Sequence, residues 1–428
     1  MHKLSTIKAV IYTVLGVMMS LNAFTQKILV NYDESKMPSF TLPDPLLLPN
    51  GKPIKSKDVW EKTGRPAVLK QFAENVYGVN PFSGAVKIAS EVKTVNENAL
   101  NGKAISKQIT LRFPEISPTL TLDILLYLPK NVKQAPVFVS LNFTGNHTTT
   151  HEKDVFVTEK WVNSGFDKTF VNNRATDASR GIAERRWPME AIVARGYAVA
   201  TAYYGDLEAD HTEGWKTGLR SVLTPEQREK WSAIGVWAWS MSRMVDYLIK
   251  NESLVDGQKV IALGHSRIGK ATLWAAAEDP RFAMVISNDS GEGGAALARR
   301  WIGETVEHLN TQFPHWFCAN YKKYNKAVAE LPVDSHELLG LMGPRPLYVA
   351  SATEDIWADP KGEFLGALEA EKVYQLYKKT GLGTNIMPMP NSPVGKTIGY
   401  HIREGKHDIL LYDWQQYMNF ADKHFEIK

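Results

Sequence analysis

Short, nearly continuous apolar runs alternate along most of this chain with stretches whose apolar residues recur every three to four positions. The runs at 120–128, 136–141, 197–202, 260–263, 284–287 and 347–350 are rich in β-branched or aromatic residues and predict strands. Between them, 229–250 carries Ile234, Trp237, Ala238, Met241, Met244, Val245 and Leu248 at helical spacing, a stripe expected to face the core. A second helix is expected over 364–379 with Gly381 as its C-terminal cap, and a last one around 413–425. Strands alternating with helices imply a three-layer αβα sandwich around a mostly parallel sheet. No internal repeat and no linker interrupts it, so residues 26–428 are expected to form a single α/β domain.

The two ends of the pattern differ. Residues 1–25 hold Lys3 and Lys8, then an apolar stretch from Ala9 to Phe24, with small residues near 23–26 suited to cleavage. The stretch is short for a bilayer span and reads as an export signal, giving a periplasmic or secreted protein that leaves the membrane after cleavage. From about 24 to 53 the chain is rich in Pro, Leu and Asp and has little periodicity, which predicts an extended arm lying over the domain.

Composition narrows the function. The chain has 428 residues, 44% of them hydrophobic and 22% charged, enough for a large core and free of the signs of disorder. Its net charge of +4 loses only the two leader lysines on cleavage, and such a balance argues against nucleic-acid binding. Cys318 stands alone, so the chain forms no internal disulfide.

Chemistry concentrates at Val260-Ile-Ala-Leu-Gly264-His-Ser266-Arg-Ile-Gly269-Lys270, which reads as strand, tight turn and helix. A serine at such a turn is lifted above the sheet edge, and the amides of the following helix face any oxyanion formed there. The spacing is Gly-x-Ser-x-x-Gly, one residue longer than the commoner elbow. The same letters approach a P-loop, but Ala271 stands where the Mg²⁺-binding hydroxyl is needed and Thr272 comes one position late. Chain order in hydrolases of this type is serine, acid, histidine. His407, just before the last helix, fits the histidine slot. Asp289 and Asp355 both follow strands and compete for the acid; general topology favours Asp355, with Asp289 retained as a partner. Asp206 and Asp359 are weaker candidates that read as caps or turn residues. His147 and His151 have helix-like ligand spacing but no third ligand, so no metal site is expected.

With these residues in view, the chain resembles the glucuronoyl esterases of carbohydrate esterase family 15. The resemblance rests on Gly264-His-Ser266-Arg267-Ile-Gly269-Lys270, on Ser290-Gly291-x-Gly293-Gly294-Ala-Ala, on Trp357-Ala-Asp-Pro after Asp355, and on His407-Asp. It implies an α/β-hydrolase fold and a serine esterase acting on glucuronate esters of glucuronoxylan, with no cofactor; the chain is expected to be a monomer. It also implies that Arg267 contributes to the oxyanion hole and that Lys270, Glu304 and Trp357, with His308 nearby, hold the sugar. The family's first-described members carry glutamate where this chain has the shorter Asp289. An acetyl xylan esterase and a catalytically silent sugar-binding protein are the other readings of the same residues.

Overall fold

Ten strands form one sheet. They are β1 (Ala89–Asn98), β2 (Ala104–Phe113), β3 (Ser117–Pro129), β4 (Ala135–Asn142), β5 (Ala198–Tyr203), β6 (Val255–His265), β7 (Phe282–Asn288), β8 (Leu347–Ala352), β9 (Val394–Gly395) and β10 (Ile398–Arg403). The order across the sheet is β1-β2-β3-β5-β4-β6-β7-β8-β10-β9. From β5 to β10 neighbouring strands run parallel, while β1, β2 and β3 add an antiparallel flank and β9 an antiparallel edge. This computed structural model describes residues 28–427 apart from 49 and 83, so the export signal expected over 1–25 lies outside the described residues. Among the described residues no helix is long and apolar enough to cross a membrane.

All six expected strands are present, and four more were not read from the sequence. The reasons are physical. Almost every residue of β1 is exposed, so it carries no hydrophobic alternation. The fully buried β10 contains His401 and Arg403, which look like loop residues until their partner is seen: both bond Asp413, at 2.9 and 3.0 Å. A buried polar pair with its hydrogen bonds made is tolerated in a strand, and hydropathy alone does not reveal it.

Five helices matter for the site: α1 (Ala233–Asn251), α2 (Arg267–Glu278), α3 (Val306–Gln312), α4 (Pro360–Leu376) and α5 (Leu411–Phe425). The stripe on α1 is buried as expected, with Trp237, Met241, Met244, Val245 and Leu248 fully enclosed. That helix begins at Ala233 and not at 229, because Ser232 accepts the Gly235 amide as an N-cap after a separate turn, Pro225–Lys230. The end of α4 also differs from expectation. Lys378, and not Gly381, takes the left-handed conformation after it (φ 57°), while Gly381 is required by contact: a Cβ there would lie 2.4 Å from Cγ of Glu371. One core cluster packs α1, α2 and α4 on one face of the sheet, and another packs α5 on the opposite face, which is the αβα sandwich.

The arm is tied down by polar contacts. Asn31 accepts the Gly303 amide at 2.8 Å, Glu34 pairs with Arg300 at 2.6 Å, and the Pro43 carbonyl meets His336 at 2.9 Å. It therefore covers the segment between β7 and α3 and reaches the short helix Ser335–Gly340.

Candidate active site

Ser266 sits between the end of β6 and the start of α2 with φ 58° and ψ −133°. A non-glycine residue held there stores roughly 1–3 kcal/mol, which its surroundings must offset. Its amide donates to the Asn288 carbonyl at the end of β7 (2.9 Å). The long glycine spacing has a steric cause: a Cβ at Gly264 would lie 2.3 Å from the Thr272 hydroxyl, and one at Gly269 would lie 2.9 Å from Cβ of Ser290. Both glycines let α2 press onto the strand ends, and the second serves the loop after β7. The P-loop reading fails here. The Thr272 hydroxyl points into the core toward the Met241 sulfur (3.6 Å), and Lys270 is occupied by protein oxygens.

His407 lies between β10 and α5. Its ring packs against His265, the residue before Ser266, with centroids 4.5 Å apart, which puts it beside the elbow. Asp355, in the loop after β8, approaches His407 Nδ1 to 2.6 Å through Oδ2. Asp289, after β7, has another environment. Its Oδ2 accepts the Asp408 amide (3.3 Å) and faces Arg403 (3.8 Å), and its Oδ1 is buried without a partner. Burial, then the charges of Glu363 and Asp355, raise its pKa well above the carboxylate range. One ligand atom each from Asp289, Asp355 and His407 falls within 4.8 Å of the others, so both acids lie close to the imidazole while only Asp355 bonds it.

The remaining acids and histidines are placed elsewhere. Asp206 accepts the Asp123 amide (2.9 Å), and Asp359 caps α4 while pairing with Arg300 (2.7 Å). His147 is fully buried with Nε2 at 2.8 Å from Ser179, and burial lowers its pKa to about 4. His151 pairs with Glu184 at 3.1 Å. The two histidines thus serve separate contacts.

Arg267, the first residue of α2, bonds Asp210, and its guanidinium lies over Trp316 (4.7 Å) and Phe313 (5.5 Å). Asp210 also receives Trp316 Nε1 (2.7 Å), His315 Nε2 (2.8 Å) and the Tyr204 hydroxyl (2.9 Å). Burial alone would raise Asp210, but His315 and Arg267 hold it well below the usual range. Burial alone would likewise lower Arg267, and Asp210 reverses that. One turn along α2, Lys270 is 2% exposed and gives its three protons to the Ser290 carbonyl (2.6 Å), the Glu292 carbonyl (2.5 Å) and Glu304 (2.7 Å). Trp357 Nε1 donates to the other oxygen of Glu304 (3.1 Å), and His308 packs edge-on against Trp357 with centroids 5.4 Å apart.

A family model described as fungal glucuronyl esterase matches residues 188–378. A solved glucuronoyl esterase from Solibacter usitatus superimposes with a TM-score of 0.85 at 46% identity, covering 91% of this chain and 99% of that one. A promiscuous esterase of carbohydrate esterase family 15 from a marine bacterial metagenome gives 0.86 at 43%, covering 92% and 100%. Over 400 residues, 92% of each chain, a carbohydrate esterase from an unknown prokaryotic organism is 44% identical. This chain belongs to carbohydrate esterase family 15.

Within this family 15 esterase, sequence reasoning missed two supports of the site. The first is Asp210 with His315 and Trp316: positions 105 and 106 residues apart are joined only by folding, and the aromatic cluster Phe313-Pro-His-Trp-Phe was the one available signal. The second is Glu363 on α4. It accepts the amides of Ser290 (2.7 Å) and Gly291 (3.0 Å) and the Ser351 hydroxyl (2.6 Å), fixing the glycine-rich turn after β7. Burial pushes its pKa up to about 8.

Proposed function

We propose that this family 15 chain is an exported, monomeric serine esterase that hydrolyses the ester on the carboxyl group of (4-O-methyl-)glucuronate borne by glucuronoxylan, without metal or cofactor. The observation that carries the mechanism is the 2.6 Å contact between His407 and Asp355 beside an elbow serine. In this reading His407 takes the proton of Ser266 as its oxygen attacks the ester carbonyl. Asp355 holds the imidazole in the required tautomer and stabilises the imidazolium. Negative charge gathers on the carbonyl oxygen, where Arg267 and the unpaired first-turn amides of α2 receive it. The C–O bond to the alcohol then breaks, His407 protonates the leaving oxygen, and an acyl-serine remains. Water, deprotonated by His407, attacks it and releases the free uronic acid.

The sugar contacts follow from hydrogen-bond capacity. Lys270 has no proton left to give, so its role in this reading is to fix Glu304. Trp357 likewise spends its one N–H on Glu304, so Glu304, through its remaining lone pairs, meets the sugar hydroxyls while the Trp357 ring walls the sugar and His308 keeps that ring in place. The experiment is a comparison of hydrolysis rates by one preparation on methyl glucuronate, methyl galacturonate and acetylated xylan. Preference for glucuronate supports the reading; preference for acetylated xylan makes the chain an acetyl esterase, and binding without turnover makes it a silent sugar-binding protein.

A further inference from the structure

Among the described residues, two large apolar side chains have positive φ: Leu100 (51°) and Trp301 (55°). L residues avoid this region because Cβ crowds the backbone carbonyl. Leu100 recovers the strain through burial, being 8% exposed, whereas Trp301 is 44% exposed. A strained backbone that holds a large aromatic ring toward solvent has no explanation in packing.

The conformation is fixed from both sides. Asn31 of the arm donates to the Trp301 carbonyl (3.4 Å) and accepts the Gly303 amide (2.8 Å). Gly303 lies so close to the carbonyl of Trp357 that a Cβ would sit 2.2 Å from that oxygen. The stretch from Trp301 to Gly303 is thereby held by the arm on one side and by Trp357 on the other.

Trp301 lines a groove of about 680 Å³ between Ser39, Phe40 and Thr41 of the arm and Glu307 and Lys326 opposite. Trp301 and Glu304 are three positions apart, a span of at most about 11 Å. The same short stretch of chain builds the site, because the Glu304 amide donates to the Trp357 carbonyl (2.8 Å). Its charges are largely answered within the protein: Lys326 lies 3.8 Å from Glu307, and Arg299 is taken by Asp334 (3.1 Å) and the Leu331 carbonyl (2.5 Å). An aromatic ring among polar groups of balanced charge suits a neutral sugar chain, whose rings offer C–H faces to the aromatic and hydroxyls to the rim.

We infer that this groove is a subsite for the neutral backbone of the polysaccharide that carries the ester, with Trp301 as its stacking platform. The inference rests on the glucuronate reading of Glu304 and Trp357. Trp301→Gly is the informative variant, because glycine is at ease at φ 55° and the backbone should keep its course when the ring is removed. Calorimetry with unesterified linear xylo-oligosaccharide should show wild-type binding and about tenfold weaker binding by the variant, as expected for loss of one stacking contact. The same variant should lose about tenfold in kcat/KM on esterified glucuronoxylan oligosaccharides while hydrolysing methyl glucuronate at the wild-type rate. Equal oligosaccharide affinity in the two proteins, or an equal loss on the small and the large ester, overturns the subsite. Failure of the wild type to hydrolyse methyl glucuronate would instead overturn the glucuronate reading, and the calorimetry distinguishes the two failures.

Discussion

Asp355 and Asp289 both lie near His407, yet their surroundings assign them different work. Asp355 meets Nδ1 at 2.6 Å, whereas Asp289 is buried, takes a backbone amide and has its pKa raised first by burial. Asp355→Asn should therefore lower kcat by up to about 10⁴-fold, the penalty for a mis-set imidazole, and Asp289→Asn should cost less. The double variant should lose more than the product of the two if Asp289 backs up its neighbour, which steady-state kinetics on methyl glucuronate would report. Arg267 offers a parallel case. Its removal should cost about 10²- to 10³-fold in kcat, as for loss of an oxyanion donor. Asp210 touches no substrate in this account but aims Arg267, so Asp210→Asn should cost up to about 100-fold in kcat with KM little changed. A fall in KM-dependent binding alone would place Asp210 outside that role.

At the scale of elements, the turn from β6 into α2 depends on the two glycines that seat α2 against the loop after β7. Gly264→Ala would force a Cβ to 2.4 Å from the Ile268 carbonyl as well as against Thr272, neither of which can withdraw freely. Chemical denaturation should show a loss of about 1–3 kcal/mol or more, the range for overpacking. This turn and the parallel centre of the sheet were legible in the sequence because apolar runs, glycines and the serine are local signals. The strand β10 was not, since His401 and Arg403 make sense only with Asp413 on α5. Asp210 and Glu363 were hidden for the same reason: their partners are remote in sequence, and a carboxylate's function is set by the donors that folding brings to it.

Across the whole molecule, buried titratable groups set the response to pH. His147 and His265 are buried and their pKa values lowered, so the unfolded chain binds protons that the folded one does not, and their own contribution to stability grows as pH rises to about 6.5. Glu278, Glu292, Glu337 and Glu363 are pushed by burial from 4.5 up to about 8. Their contribution is complete below the unfolded value and is lost as pH rises through the folded one. The loss begins near the unfolded value and is steepest from about pH 6.5 to pH 8, where the histidines no longer oppose it; Tm should fall over that interval, and Glu337→Gln, which keeps its cap to Asp334 (2.9 Å), should flatten that fall. A Tm that stays level over this interval would show that these carboxyls ionise without cost. The central claim, that Ser266 is the nucleophile of a glucuronate esterase, is tested most directly by hydrolysis of methyl glucuronate with wild-type protein and Ser266→Ala of equal Tm. The wild type should turn over and the variant lose roughly 10⁴-fold or more; near-normal turnover by Ser266→Ala would contradict the assignment.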